Sequence, residues 1–244
     1  MTWPEQAVVV VTGAAGGIGL ASATWFAERG ARVFSLDRPG AVPASGEAVG
    51  EVVEVDVTSE DSVRAAVTTV VERAGRVDAL VAAAGVAEGD TGAEDMSLER
   101  WSLTIGVNLT GVFLTCREFG RVMLEQGAGR IVAVASMSGQ HVVNVPQRQV
   151  AYNASKAGVV AMVKSLAFEW AGRGVRVNVV SPGYVDTPLL TNRTDLHPFW
   201  KNQTPAKRFA TPAEVAGGAG YLLSDEAAFC VGTELLMDGG YALP

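Results

Sequence analysis

Cysteine, histidine and charge are all scarce in this chain of 244 residues. Two cysteines, Cys116 and Cys230, cannot supply the disulfide framework that staples small secreted domains. The histidines, His141 and His197, lie far apart and lack cysteine or carboxylate company at ligand spacing, so no metal is expected. Charged residues reach only 18%, and the balance is acidic, with a formal net charge of −7. That argues against a nucleic-acid groove or an anionic membrane surface as the main partner. No apolar run approaches the length of a bilayer span. The opening Met-Thr-Trp-Pro-Glu-Gln lacks the basic segment and apolar run of a signal peptide. Repeats, low-complexity tracts and linkers are also missing. The expectation is a soluble, cytoplasmic protein with a single domain over residues 1–244, and neither nucleic acid nor membrane among its partners.

What is present is apolar and punctuated by glycine: 48% hydrophobic residues and 28 glycines. Ala7–Thr12 is an unbroken, largely β-branched run, and Gly13–Gly19 opens a helix that extends to about Arg29, with Gly30 as its C-cap. Arg32–Leu36 and Glu51–Val55 are further short strands. Thr58-Ser-Glu-Asp61 matches a capping box, followed by Val63, Ala66, Val67, Val70 and Val71 at helical spacing and ended by Gly75. Val77–Ala82, Gly129–Ala135 and Val175–Val180 are buried strands, separated by helical stretches around Ser97–Leu124 and Val150–Trp170. A helix over Pro212–Leu223 and a strand over Glu234–Met237 close the pattern. Strands alternating with helices of ten or more residues imply an α/β, doubly wound parallel sheet of about seven strands with helices on both faces. Its ligand belongs beyond the C-terminal strand ends, where the strand order reverses.

Thr12-Gly-Ala-Ala-Gly-Gly-Ile-Gly19 sits at such a strand end. Gly13, Gly17 and Gly19 permit unusual backbone angles and let a pyrophosphate approach the main chain, while the helix N-terminus offers aligned N–H groups. Asp37 lies about 20 residues on, where an acid meets the adenosine ribose of a dinucleotide. A carboxylate there accepts from both ribose hydroxyls and repels a 2′-phosphate, so NAD is favoured over NADP; Arg38, beside it, could neutralise Asp37 or grip a phosphate.

Tyr152-Asn-Ala-Ser-Lys156 puts a phenol and an ammonium on one helix face. A nearby lysine charge favours the phenolate, so the pair can move a proton near neutral pH. With these residues the chain resembles the short-chain dehydrogenase/reductase family along essentially its whole length. The matching elements are Thr12–Gly19, Asp56-Val57 after the third strand, Asn108 in the central helix, Ser136 after the fifth strand, Tyr152-x-x-x-Lys156, and Pro182-Gly183 with Thr187 after the sixth. The resemblance implies a Rossmann domain and an oxidoreductase. In it Tyr152 is the general acid/base, Ser136 bonds the same substrate oxygen, and Lys156 holds the nicotinamide ribose and lowers the Tyr152 pKa. Asn108 anchors a relay water. It also implies that Gly13, Gly17, Ile18, Gly19, Asp37, Asp56, Val57, Gly85, Tyr152, Lys156, Pro182, Gly183, Val185 and Thr187 bind the cofactor, with Asp56 on the adenine amino group. Where the family usually has Asn-Asn-Ala-Gly, this chain has Ala82-Ala-Ala-Gly85, which puts local rigidity or cofactor affinity in question.

The stretch from Ser136 to Gln147 is similar to family members that act on polyols and sugars, of sorbose, arabinitol and galactitol types. Ser138, His141, Asn144 and Gln149 suit a substrate carrying several hydroxyls, with Ser138 and Asn144 the candidate contacts; alternatively they cap their own loop. Leu189–Phe209 falls where the family carries a substrate lid, about 187–210. Phe199 and Trp200 in it either cover the nicotinamide or anchor a short helix. The expected partner is a small alcohol or ketone, and the expected assembly a homotetramer, because the two long helices look too apolar for one α/β layer to cover. Two other readings remain: a 3-oxoacyl thioester reductase using NADPH, and a catalytically silent nucleotide-binding scaffold.

Overall fold

The computed structural model describes residues 6–44, 46–191 and 193–243; the first residues of the chain and residue 192 of the expected lid lie outside them. Strand β1 (Val8–Thr12) leads into helix α1 (Gly17–Ala27), β2 (Arg32–Asp37), β3 (Glu51–Glu54), α2 (Glu60–Ala74) and β4 (Ala79–Ala82). Helix α3 (Leu98–Ile105) continues through a π-helical segment, Gly106–Gly111, into α4 (Val112–Gln126). Then come β5 (Gly129–Val134), α5 (Val150–Trp170), β6 (Val175–Pro182), the short α6 (Pro188–Thr191) and α7 (His197–Gln203), α8 (Pro212–Leu223) and β7 (Glu234–Met237). All seven strands pair in parallel in one sheet, in the order β3-β2-β1-β4-β5-β6-β7. The order reverses between β1 and β4, so the ligand crevice of such a sheet lies beyond Thr12 and Ala82.

The valine run of β1 explains why it is central. Val8 and Val10 enter one core, with α2, α4 and α5, while Val9 and Val11 enter the other, with α1 and α8. Each valine so buried contributes about 1.5–3 kcal/mol relative to exposure. A strand with one polar face could not hold that place.

Three local expectations need correction. Helix α1 ends at Ala27 with Glu28 as its C-cap; Gly30, at φ +80°, completes the turn two residues later, its N–H bonding the Ala27 carbonyl. The N-cap of α2 is Ser59, not Thr58, because the Ser59 hydroxyl accepts from Ser62 N. A complete capping box occurs instead on α8, between Thr211 and Glu214. The expected helix around Ser97–Leu124 is interrupted by the π segment, which carries Asn108.

Candidate active site

The turn after β1 is built for a close approach. Gly13 has φ +70°, and a Cβ on it would come within 2.9 Å of the Ala84 backbone. A Cβ on Gly19 would drive into the Gly13 carbonyl. Helix α1 has neither a side-chain cap nor an acidic residue in its first turn, which leaves its N-terminal amides and the positive end of its dipole for an anion. From across the crevice the Thr187 methyl group stands 3.4 Å from where a Gly17 Cβ would be. Asp37 is the last residue of β2. Its Oδ2 accepts from Ala15 N at 2.8 Å and its Oδ1 from Arg38 N at 2.8 Å. The acid thus latches the glycine turn to β2 and still has lone pairs to offer. Asp56 Oδ1 accepts from the amide and hydroxyl of Thr58, at 2.9 and 2.7 Å, beyond the end of β3. Val57 is buried against Gly111, and the Gly183 backbone packs on Asp238. The glycine turn, the unshared amides of α1 and an acid one strand over fit a dinucleotide.

The Asn-to-Ala departure after β4 has a local compensation. Thr12 Oγ1, buried, accepts from Ala83 N and Ala84 N at 3.2 and 3.3 Å. Fully buried Asn108 clasps Val86 on both sides, Oδ1 accepting from its N–H and Nδ2 donating to its carbonyl, each at 2.8 Å, and Nδ2 also reaches Ser155 Oγ at 3.2 Å. A π-turn is often found at functional sites because it re-aims a side chain; here it turns Asn108 towards β4 and α5. Gly85 lies between Asn108 and Lys156, with both polar atoms 3.5 Å from where its Cβ would stand.

Ser136, just past β5, lies beside the Tyr152 phenol, and its Oγ accepts from Ser138 N at 3.1 Å. Lys156 lies one turn along α5, buried, with Nζ donating to the Val134 carbonyl at 2.9 Å and standing 5.7 Å from the centre of the Tyr152 ring. Burial pulls the lysine down to about 8. It also raises the phenol of Tyr152, which the Ser136 hydroxyl lowers and the nearby Glu88 carboxylate raises further. The sequence expectation that the ammonium depresses the phenol therefore needs correction for the chain by itself: desolvation outweighs a partner whose ammonium is turned to a main-chain carbonyl.

On the substrate side, Ser138 Oγ donates to Asn144 Oδ1 at 2.6 Å, and Asn144 Nδ2 to Gln149 Oε1 at 2.7 Å. Both candidate contacts thus lie in one chain of buried polar groups that runs from Ser136, and part of their capacity is spent on each other. His141 is elsewhere. It meets Glu234 Oε1 at 2.9 Å, an oxygen that also accepts from Ser181 Oγ at 2.6 Å, and so ties the loop to β7. Trp200 is buried, 2% exposed, stacked on Tyr184 at 4.5 Å between ring centroids. Its Nε1 donates to the Val145 carbonyl and to Gln147 Oε1, at 3.3 and 3.2 Å, and Gln147 Nε2 donates to Tyr184 Oη at 3.2 Å. It is therefore the anchor of α7, while Phe199 remains partly exposed.

Three contributors escape sequence reasoning: Glu88, Gln147 and Tyr184. Glu88 alone carried a signal, as the only ionisable side chain in the alanine- and glycine-rich stretch 79–89. Among the described residues no group of three or more metal-ligating side chains gathers, and no helix is long and apolar enough to cross a membrane. Cys116 is buried and its thiol is pushed up to about 12, which removes it as a nucleophile.

A family model described as enoyl-(acyl carrier protein) reductase matches residues 13–242. The chain is 42% identical to a D-threitol dehydrogenase of Mycolicibacterium smegmatis, over 97% of this chain and 93% of the relative. The chain belongs to the short-chain dehydrogenase/reductase family. A galactitol 2-dehydrogenase (L-tagatose-forming) of Cereibacter sphaeroides, another relative, is 40% identical over 98% of this chain and 96% of the relative. The solved structure of gox2181 superposes with a TM-score of 0.94 at 42% identity, covering 99% of this chain and 97% of that one. As a family member the chain is an oxidoreductase that acts on alcohol groups with a nicotinamide cofactor. Ser136 follows the end of β5 and the glycine turn the end of β1, while Tyr152 and Lys156 lie on α5.

Proposed function

We propose that the protein is an NAD(H)-dependent dehydrogenase for a secondary alcohol that carries further hydroxyls, a polyol or sugar-type substrate, working reversibly on the corresponding ketone. The observation that carries this reading is the Ser136 hydroxyl beside the Tyr152 phenol, continued by the polar chain Ser138–Asn144–Gln149. In alcohol oxidation Tyr152 takes the hydroxyl proton while Ser136 holds the same oxygen; in reduction the phenol returns it. The bound nicotinamide supplies the hydride chemistry. Lys156, in reach of Gly85, holds the nicotinamide ribose, and its charge, once turned from Val134 towards the site, assists the phenolate. Asn108 fixes the loop after β4 against α5 and anchors a relay water. Ser138 and Asn144 read the additional hydroxyls, because a polar site rejects a plain ketone that leaves its groups unpaired.

Gly13, Gly17, Ile18 and Gly19 would cradle the pyrophosphate with Thr187. Asp37 would take the adenosine ribose hydroxyls, and Asp56 and Val57 would hold the adenine. Pro182, Gly183 and Val185 would border the nicotinamide. The preference for NAD over NADP rests on the Asp37 carboxylate, fixed by the Ala15 amide where a 2′-phosphate would lie. The reading includes a single domain with residues 187–210 as its lid, a cytoplasmic setting consistent with two free thiols, and a homotetramer. Bare aromatic surface at Phe168, 89% exposed, supports that assembly. Net charge −7 and Asp37 speak against an NADPH-linked 3-oxoacyl thioester reductase, and the intact Ser136–Tyr152 pair against a silent scaffold.

The test is a panel of sugar alcohols, ketoses and plain ketones, each with NAD(H) and NADP(H), run on the wild type and on Tyr152→Phe. The variant should lose roughly 10²–10⁴ in rate while still binding NADH. Unchanged turnover would overturn the mechanism, and a preference for plain ketones the substrate class.

A further inference from the structure

Glu88 lies on the loop after β4, and that loop clamps the start of α5. Thr91 N donates to the Arg148 carbonyl at 3.2 Å, the Arg148 amide and side chain both donate to Asp90 Oδ1, and Gln149 Nε2 donates to the Glu88 carbonyl at 2.9 Å. Within this crossing the Glu88 carboxylate is buried and its Oε1 accepts from the amide of Tyr152 at 2.9 Å. Tyr152 is the third residue of α5, whose N-cap, Gln149, makes no side-chain capping bond. A glutamate from a distant loop thus caps the helix at the residue that bears the phenol, where the helix dipole stabilises a carboxylate. Its other oxygen, Oε2, is buried and meets no hydrogen-bond donor among the described residues.

We propose that Glu88 is a positioning residue for proton transfer at Tyr152: one oxygen fixes the phenol-bearing turn, and the unshared charge on the other sets the pH at which the phenol works as a base. The inference rests on Tyr152 being the acid/base. A cap alone would not need a charge, since an amide or hydroxyl oxygen accepts the same N–H. A buried charge with a bare oxygen acts through a low local dielectric on whatever ionises beside it. The groups that face the phenol are Ser136 from the end of β5, Lys156 from α5 itself, Tyr184 from the loop after β6, and Glu88 from the loop after β4. Of these only Glu88 is a carboxylate. It resists formation of the phenolate, keeping the phenol protonated for delivery to a ketone oxygen; this is the direction in which the Tyr152 phenol is displaced.

Glu88→Gln separates the two roles, because it keeps an oxygen for the Tyr152 amide and removes the charge. The rising limb of kcat against pH for alcohol oxidation should move to lower pH by roughly half a unit or more, with KM for the alcohol within about twofold. Glu88→Asp, which keeps the charge, should leave the limb near its wild-type position, and Glu94→Gln, an exposed carboxylate further along the same loop, should not move it. Tyrosinate absorbance, taken as wild type minus Tyr152→Phe and compared with the same difference in the Glu88→Gln background, reads the phenol without turnover and should move in the same direction. A profile and titration that superimpose on the wild type would reduce Glu88 to a cap. A rise in KM alone would make it a reader of substrate hydroxyls. Either result overturns the inference, whereas the failure of the Tyr152 reading would show separately, as full activity in Tyr152→Phe.

Discussion

Replacing Lys156 with methionine should slow turnover severely and yet make the protein more stable at neutral pH. Lys156 is 4% exposed, and burial lowers it from 10.5 to about 8. The unfolded chain therefore holds more protons than the folded one between those values, and stability rises with pH through that window. At pH 7 the folded protein carries the full cost of burying an ammonium, about 3 kcal/mol at 1.36 kcal/mol for each pKa unit. Against this stands the bond from Nζ to Val134, worth about 1 kcal/mol. Methionine fills the same channel without a charge, so the variant should gain about 1–2 kcal/mol at pH 7. The assay is urea unfolding of both proteins, without nicotinamide cofactor, at intervals from pH 7 to pH 10. The advantage of the methionine variant should be constant below pH 8, shrink as pH climbs towards 10, and finally reverse as the wild-type lysine becomes neutral. The variant's kcat should fall by roughly 10²–10⁴. A methionine variant less stable than wild type at every pH, by a constant margin, would refute the argument, because the lysine would then be stabilising rather than a load carried for function.

Further substitutions at Asp37 and Trp200 test the cofactor latch and the lid anchor. Asp37→Asn keeps an oxygen for the Ala15 amide but loses the charge, so kcat/KM with NADP should rise relative to NAD by roughly tenfold or more while NAD binding is retained; Asp37→Ala should relax the preference too, and in addition loosen binding of both, as read from KM. Trp200→Phe preserves the stack on Tyr184 but deprives Val145 and Gln147 of the indole N–H, so stability should fall by about 1 kcal/mol and KM for the alcohol should rise more than kcat falls. An unchanged KM there would mean that the anchor does not shape the substrate loop.

What the sequence made legible is what depends on short-range pattern. The run Val8–Val11 announces a strand with two buried faces, and Glu234–Met237 and Val150–Trp170 have the limits expected of them. Strand ends shift by a residue or two because they are set by partners: Asp37 joins β2 by pairing with Glu54. The interruption at Asn108 was hidden because the contact that goes with it, the clasp on Val86, lies 22 residues away. Glu88, Gln147 and Tyr184 were hidden for the same reason. Their partners lie 64, 53 and 37 residues distant along the chain, and no local period encodes such a meeting. The phenol–ammonium pair was legible in position, since four residues is one helical turn. Its electrostatics were not, because burial is a property of the whole fold.

The alanines at 82 and 83 stand where the family usually has asparagines, and other side chains hold the main chain beside them. Asparagine side chains at a strand end earn their place by fixing neighbouring main chain, so what must survive is the fixation. Here Thr12 supplies part of it through the amides of Ala83 and Ala84, and Asn108 the rest through Val86. Both act on backbone groups, which any residue at 82 or 83 would present. Size is the constraint that remains. Ala82 is 1% exposed, and the Ala84 backbone lies 2.9 Å from the place a side chain on Gly13 would occupy. The phosphate-facing turn and the loop after β4 are therefore packed against each other across the switch point. Small residues on both sides let the two strand ends close to contact, and hydrogen bonds from outside the motif hold them there.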